Sequence, residues 1–306
     1  MTGSILFACW PTTAQTQSPA STDANQPGMV VLSVRVTDSL SHAVVDVNQN
    51  AFRILEDGVP QKISFVSKEQ IPVTYGLLID CSGSLRSQLS KVVQTGVKVI
   101  NANKPDDQAF IIRFISSDKI EIVQETTSDK RLLEDGLNDL YVEGGRTAVI
   151  DAVYLAAGKL IKRKLEDKNL RRQALILITD GEDRNSFYTR EKLFSLLGTA
   201  DIQVYVIGFT KELRGTAKDR AVELLTRLAT DTGGRVFLPQ SISELSSIAD
   251  EIVNDIRTQY VIGYVPSDQN PINSFHKVQV SIADDPKQEK RIAVTRLGYS
   301  TQKRTN

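Results

Sequence analysis

Asp80-Cys81-Ser82-Gly83-Ser84 places one carboxylate and two hydroxyls within a single short segment. The segment follows a largely apolar run, Val73 to Ile79, and precedes an amphipathic stretch from Leu85 to Ile100. Its oxygens therefore gather where a buried strand ends and a helix begins. Oxygen-only ligands at such a turn suit a hard divalent cation, Mg²⁺ first, with Mn²⁺ or Ca²⁺ as alternatives. Two later segments can complete the set, Gly144-Gly145-Arg146-Thr147 and Thr179-Asp180-Gly181. The candidate metal ligands are thus Asp80, Ser82, Ser84, Thr147 and Asp180. If the hydroxyls touch the cation and the carboxylates act through water, little negative charge reaches it. One coordination position then stays exchangeable, and a carboxylate from a protein partner can fill it. The chemistry points to metal-dependent ligand binding rather than catalysis.

Each of these residues also has a plainer role open to it. Asp and Ser cap helices well, so Ser82 or Ser84 can serve the helix that follows. Thr147 can cap its own helix, and Asp180 can shape a turn before Gly181. Glu182, Asp183 and Arg184 read as solvated loop charges. Asp151, one turn into a helix, can orient Thr147 or the loop, or more simply complement the helix N-terminus. Asp106-Asp107 read as a surface turn, and Lys162-Arg163-Lys164 with Arg171-Arg172 as a solvated basic helix end. Cys81 reads as a small apolar filler.

Bulk composition excludes several functions. Lysine plus arginine is 37 and aspartate plus glutamate is 37, so the formal charge is zero. That balance gives no electrostatic case for nucleic acid or for an anionic membrane surface. Histidine is limited to His42 and His276, both in β-like segments and read as surface residues, which leaves little room for Ser-His-Asp or Cys-His catalysis. The cysteines, Cys9 and Cys81, make neither a disulfide framework nor a zinc pattern. No apolar run reaches the ~20 residues of a membrane span. Ile5 to Trp10 is apolar and Pro11 to Gln26 is polar, as at the end of a truncated signal segment, with Thr12-Thr13-Ala14 as a cleavage site. Leu6-Phe7-Ala8-Cys9 resembles a lipoprotein box, with Phe7 as a departure. The expectation is export, to the periplasm or outside the cell.

Residues 1–28 read as leader and flexible linker. Leu32, Val34 and Val36 then alternate with polar residues, a half-buried strand. Phe52 to Leu55, the turn signal Glu56-Asp57-Gly58, and alternating Ile63 and Phe65 read as a hairpin. From Val73 strands alternate with helices: strands near Ala109–Ile115, Ala174–Ile178, Ile202–Phe209 and Arg235–Leu238, and helices near Leu132–Leu140, Ala148–Lys164, Arg190–Leu197, Lys218–Ala229 and Ile242–Ile256. Ile120 and Ile122 suggest a short edge strand. Ser241 with Glu244 spells a capping box at the last helix. This order predicts an α/β fold, a doubly wound, mostly parallel sheet with ligands beyond the carboxyl ends of its strands. After Arg257 strand patterns return at Tyr260–Val265, Val278–Ile282 and Arg291–Arg296. The expected organisation is a β-sandwich-like domain from 29–70 and 258–299, an α/β domain over 71–257 inserted between them, and a polar tail at 300–306.

Asp80-x-Ser82-x-Ser84, a later Thr147, and Asp180 within Thr-Asp-Gly resemble the metal-ion-dependent adhesion site of von Willebrand factor A domains, over about residues 71–257. The resemblance implies that Ser82, Ser84 and Thr147 are direct or near-direct ligands. It implies that Asp80 and Asp180 are ligands or hold water around the ion. It further implies a Rossmann-like fold and protein partners rather than an enzyme activity. Asn50 to Ile63, with Phe52-Arg53-Ile54-Leu55-Glu56-Asp57-Gly58 and Gln61, is similar to the segment preceding the A domain in the acidobacterial von Willebrand factor A-related family. Tyr260-Val261-Ile262-Gly263-Tyr264 resembles the closing strand of that family. Two other functions compete. One is a metal-dependent phosphohydrolase with Asp80 as nucleophile; the other is a structural subunit whose metal is incidental.

Overall fold

The structure, a computed structural model, describes residues 28–40, 42–68, 70–167, 169–267, 274–283 and 289–301. The leader and linker expectation therefore lies outside the described residues apart from Gly28, as does residues 302–306 of the expected tail.

The chain opens with four short strands, β1 (Val30–Thr37), β2 (Phe52–Glu56), β3 (Val59–Gln61) and β4 (Ile63–Ser67). The α/β region follows: β5 (Val73–Asp80), α1 (Leu89–Asn101), β6 (Gln108–Phe114), β7 (Ile120–Thr127), α2 (Lys130–Asn138), α3 (Val149–Glu166) and β8 (Arg172–Thr179). It continues through α4 (Arg190–Gly198), β9 (Ile202–Gly208), α5 (Gly215–Asp231), β10 (Val236–Phe237) and α6 (Leu245–Arg257). Strands β11 (Tyr260–Tyr264), β12 (Phe275–Ile282), β13 (Ile292–Val294) and β14 (Gly298–Ser300) close the chain.

The central sheet has the order β10-β9-β8-β5-β6-β7. All its pairings are parallel except that of β7, an antiparallel edge of eight residues rather than a short one. Its inner strands are apolar almost throughout because helices cover both faces. On one face Leu77, Ile79, Ile111 and Ile176 pack against α1, α2 and α6. On the other, Leu78, Phe110, Leu175 and Val204 pack against α3, α4 and α5. The chain leaves β5 for β6 on one side and returns to β8 on the other, so a crevice opens beyond the carboxyl ends of β5 and β8. The Ser241–Glu244 capping box forms, but it caps a 3-10 turn, Ile242–Glu244, that leads into α6.

Two antiparallel four-stranded sheets, β13-β1-β11-β4 and β14-β12-β2-β3, draw on both chain ends. They share one core of Leu32, Val34, Phe52, Ile54, Tyr260, Ile262 and Val278. Ser33 and Arg296 reach Asp201 beside the central sheet, and Arg35 pairs with Asp255 of α6 at 3.5 Å.

The hairpin differs from expectation. Asp57 (φ 50°) and Gly58 (φ 85°) form a two-residue turn in the left-handed region, which sets Val59 directly opposite Glu56. Strand β3 therefore takes the place next to β2, and the Ile63 strand crosses to pair with β11 in the other sheet. Ser300 pairs within β14.

Several charges expected at the surface are buried. His276 bonds through Nδ1 to Asp57 at 2.7 Å, and its Nε2 meets Ser274. Arg172 donates to the Ile256 carbonyl at 2.6 Å, and burial pushes its guanidinium down to about 10. Asp107 accepts the amides of Val73 and Lys104 and both ends of the Arg257 guanidinium. Burial acts to raise its carboxyl, but those hydrogen bonds, Arg257 first, outweigh it and hold the group below the usual carboxylate range.

Asp107→Ala should therefore lower the free energy of unfolding by about 3 kcal/mol, because it leaves Arg257 and two amides without their partner. A depressed native pKa adds stability that is present above the unfolded value and is lost as pH falls through the native one. Urea titrations from pH 7 to below about pH 4 should show a shallower acid loss in the variant than in the wild type.

Candidate metal centre

Parallel register builds the first contact of the site. Ile79 pairs with Ile178, so Asp80 and Thr179 end adjacent strands side by side. Thr179 Oγ1 donates to Asp80 Oδ2 at 2.6 Å, and the Ser82 amide donates to Asp80 Oδ1 at 2.9 Å. Asp80 is 1% exposed. Its carboxyl is pushed up to about 6, by burial first and by the neighbouring Asp180 charge, against the lowering effect of the Thr179 and Ser82 hydrogen bonds. Two carboxylates that repel one another in a dehydrated crevice fit a divalent cation, which reverses that penalty.

The hydroxyls are not spent on capping. Ser82 precedes the 3-10 turn Gly83–Leu85 but makes no side-chain cap bond. Its Oγ instead lies 2.9 Å from Ser84 Oγ, with Ser82 buried and Ser84 exposed. Helix α1 starts later, after Gln88. Thr147 is buried, and the N-cap of α3 is Ala148.

Main-chain contacts draw the other two segments to the first. The Glu143 amide donates to the Cys81 carbonyl at 3.0 Å, and the Arg184 amide donates to the Thr147 carbonyl at 2.8 Å. The loop before Thr147 thus spans from the end of β5 to the loop after β8. Gly145 is required there, since a Cβ would sit 2.2 Å from Ile115 Cγ2. Gly181 sits at φ 83°, where a Cβ would also press on Leu225 at 2.7 Å. Asp180 is 5% exposed and accepts the Glu182 amide at 3.0 Å.

Three residues outside the candidate set hold these loops. Arg113 is fully buried and donates through Nε to the Tyr141 carbonyl at 3.0 Å. Its Nη1 and Nη2 reach Glu121 at 2.9 Å and Glu143 at 3.2 Å, with the guanidinium 3.8 Å from the centre of the Tyr141 ring. A lone arginine inside the apolar run Ala109–Ile115 was a signal for this role. Asp151 is buried and accepts the amides of Phe187 and Tyr188 at 2.7 and 2.8 Å, so it clamps the loop rather than only complementing a helix end. Asp183, expected to be solvated, accepts the Ile150 amide at 3.1 Å and the Ser186 hydroxyl at 2.6 Å. It caps α3 from across the crevice.

Cys81 lies between these contacts, fully buried, and burial foremost pushes its thiol up to about 12. Among the described residues, Glu56, Asp57 and His276 also bring potential ligand atoms within 4.8 Å of one another. They stand in the antiparallel sheets, where Tyr264 and Tyr299 bond Glu56 and His276 bonds Asp57. That network fastens the β2–β3 turn to β11, β12 and β14.

A family model for the von Willebrand factor type A domain matches residues 76–251, more than half of the chain. No curated protein matches it. A solved von Willebrand factor type A protein from Catenulispora acidiphila is 13% identical, with 91% of this chain and 75% of that chain covered and a TM-score of 0.51. Proximal thread matrix protein 1 from the mussel byssus is 16% identical at a TM-score of 0.51, with 61% of this chain and 49% of that chain covered. The matched region thus spans about half the length of the mussel protein. At these identities the likeness is one of fold.

Cys81 should resist iodoacetamide in the native protein at pH 8, because its thiol stays neutral and enclosed. Peptide mass spectrometry should find it alkylated only after denaturation. Gly145→Ala should displace the Thr147 loop and weaken Mg²⁺ binding by about tenfold to a hundredfold, the range seen when supporting contacts of metal ligands are lost. Isothermal titration calorimetry checks this, with circular dichroism expected to stay unchanged.

Proposed function

We propose, given that the chain belongs to the von Willebrand factor type A domain family, that it is a protein-binding module whose capture of partners depends on a divalent cation. Asp80, Ser82, Ser84, Thr147 and Asp180 would hold that cation, Mg²⁺ before Mn²⁺ or Ca²⁺. The bound cation supplies a positive charge with an exchangeable position, suited to a carboxylate on the partner. The carrying observation is the set of hydrogen bonds that ties three separate loops together at the carboxyl ends of β5 and β8.

Within that reading each residue has a defined task. Asp80, with Oδ1 held by the Ser82 amide and Oδ2 by the Thr179 hydroxyl, orients the loop and accepts from water. Ser82 and Ser84 present neighbouring hydroxyl oxygens, neither engaged by a helix end. Thr147 is carried in by a loop pinned at both ends. Asp180 adds the second negative charge. All five donors are hard oxygens, which matches Mg²⁺ and disfavours soft metals.

The phosphohydrolase alternative is weaker. The second acidic residue such an enzyme would need at position 82 is a serine, and none of the three motif segments carries a lysine. Among the described residues no helix is long and apolar enough to cross a membrane. Export to the periplasm or beyond rests on the pattern of residues 1–28, and mass spectrometry of the mature N-terminus tests it.

Asp180→Ala should abolish Mg²⁺ binding in calorimetry while leaving the fold intact, since the residue sits at the rim of the sheet. Unchanged affinity would overturn the assignment. Ser82→Ala should weaken partner capture to the level seen with EDTA. Phosphatase turnover that requires Mg²⁺ and vanishes in Asp80→Asn would instead establish the enzyme.

A further inference from the structure

The amino end of the central sheet carries a second polar cluster, remote from the metal motif. Thr74 is paired in register with Gln108 on one side and Gln173 on the other, near the starts of β5, β6 and β8. Alternation along each strand points all three toward α3, below Leu78, Phe110 and Leu175. A cavity of about 450 Å³ opens there, floored by Thr74 and Gln173 and walled by Arg163, Lys164, Asp167 and Arg171 around the last turn of α3. That volume lies in the range of small-molecule sites.

The side chains around it are held, yet incompletely satisfied. Gln173 donates through Nε2 to the Leu160 carbonyl at 2.9 Å, and Arg163 donates through Nη2 to Gln108 at 3.1 Å. Gln173 Oε1, Thr74 Oγ1 and Arg163 Nε are buried and find no hydrogen-bond partner among the described residues. Thr74 is 1% exposed and Gln173 is 4% exposed. Buried polar atoms in folded proteins nearly always have partners. An acceptor, a hydroxyl and a cationic donor thus lie just beneath the cavity floor. Among the described residues, three cations line it against one carboxylate, and Arg171 already engages that carboxylate at 2.8 Å.

We propose that this cavity binds a small organic anion that also carries hydroxyl groups, of the class of sugar phosphates and sugar acids. A small side-chain shift at the floor lets a ligand hydroxyl donate to Gln173 Oε1 and exchange a hydrogen bond with Thr74. The anionic group accepts from Arg163 Nε and is neutralised by Lys164. A neutral sugar lacks the charge, and inorganic phosphate lacks the body that fills the cavity. The site uses none of the metal motif residues, because Thr74 and Asp80 stand at opposite ends of β5.

Calorimetric titration of the full chain with glucose 6-phosphate, glucuronate, glucose and inorganic phosphate tests the assignment. At least one of the two anionic sugars should bind one-to-one, more tightly than glucose and phosphate, with or without EDTA. Which of the two binds separates a phosphate from a carboxylate ligand. Arg163→Ala with Lys164→Ala should weaken binding by about tenfold or more, the scale of one lost charge-assisted hydrogen bond, whereas Asp180→Ala should leave it unchanged. Should the double variant lose its fold by circular dichroism, Lys164→Glu, at an exposed position, carries the same expectation. The proposal is overturned if neither anionic sugar binds, if glucose or phosphate binds equally well, or if the charge variants bind as tightly as the wild type. Water alone would then satisfy the buried atoms.

Discussion

One hydrogen bond between neighbouring strands, Thr179 Oγ1 to Asp80 Oδ2, fixes the frame on which the candidate site is built. It exists because β5 and β8 run parallel in a register that brings their last residues abreast. The carboxylate so held turns the chain through the Ser82 amide and sets both serines at the mouth of the crevice. Thr179 in turn accepts the Gly181 amide and so starts the loop that carries Asp180. The Thr147 loop depends on both neighbours, because its two main-chain ties reach Cys81 on one side and Arg184 on the other. Burial of the Asp80 carboxylate beside Asp180 is costly without a compensating charge, and a divalent cation would supply one at the carboxyl end of the sheet.

Much of this was legible in the amino-acid sequence. Strand and helix periodicity identified the alternating elements from Val73 onward, since their apolar faces are set by local spacing. The three candidate ligand segments could be placed at strand ends or, for Thr147, at the start of a helix for the same reason. What escaped was decided by partners far away in sequence. Asp107 is buried because Arg257 meets it, and His276 because Asp57 does. Asp183, in the loop after β8, is engaged by the amide of Ile150 on α3. No local pattern distinguishes such a residue from a solvated one. The hairpin failed for a narrower reason: the Asp57-Gly58 turn was recognised, but the three residues after it are too few and too exposed to read as a strand.

The central sheet gathers most of its polar chemistry at its two ends, apart from tyrosines such as Tyr75 and Tyr205 whose hydroxyls are bonded. Between Thr74 and Asp80, β5 is largely apolar and enclosed by helices on both faces. The one polar side chain in that stretch, Tyr75, has its hydroxyl met by Asn103 at 3.0 Å, and any further buried polar group would need a partner of its own. Hydroxyls, amides and carboxylates therefore collect where strands begin or stop. One end gathers carboxylates and hydroxyls suited to a hard cation. The other gathers arginine, lysine and amide groups around a cavity.

Strand β1 pairs with β11 from Val30 opposite Tyr264 to Val34 opposite Tyr260, although the whole α/β region separates them along the chain. Synthesis proceeds from the N-terminus, so β1 leaves the ribosome long before its neighbour exists. The α/β region is finished at Arg257 and is free to collapse first, while an apolar ribbon bearing Leu32, Val34 and Val36 waits for Tyr260 to emerge. Closing such a distant pair is slow, and an exposed edge of this kind invites misassociation meanwhile. Completion of the antiparallel layers thus waits on β11 to β14, which follow the α/β region along the chain.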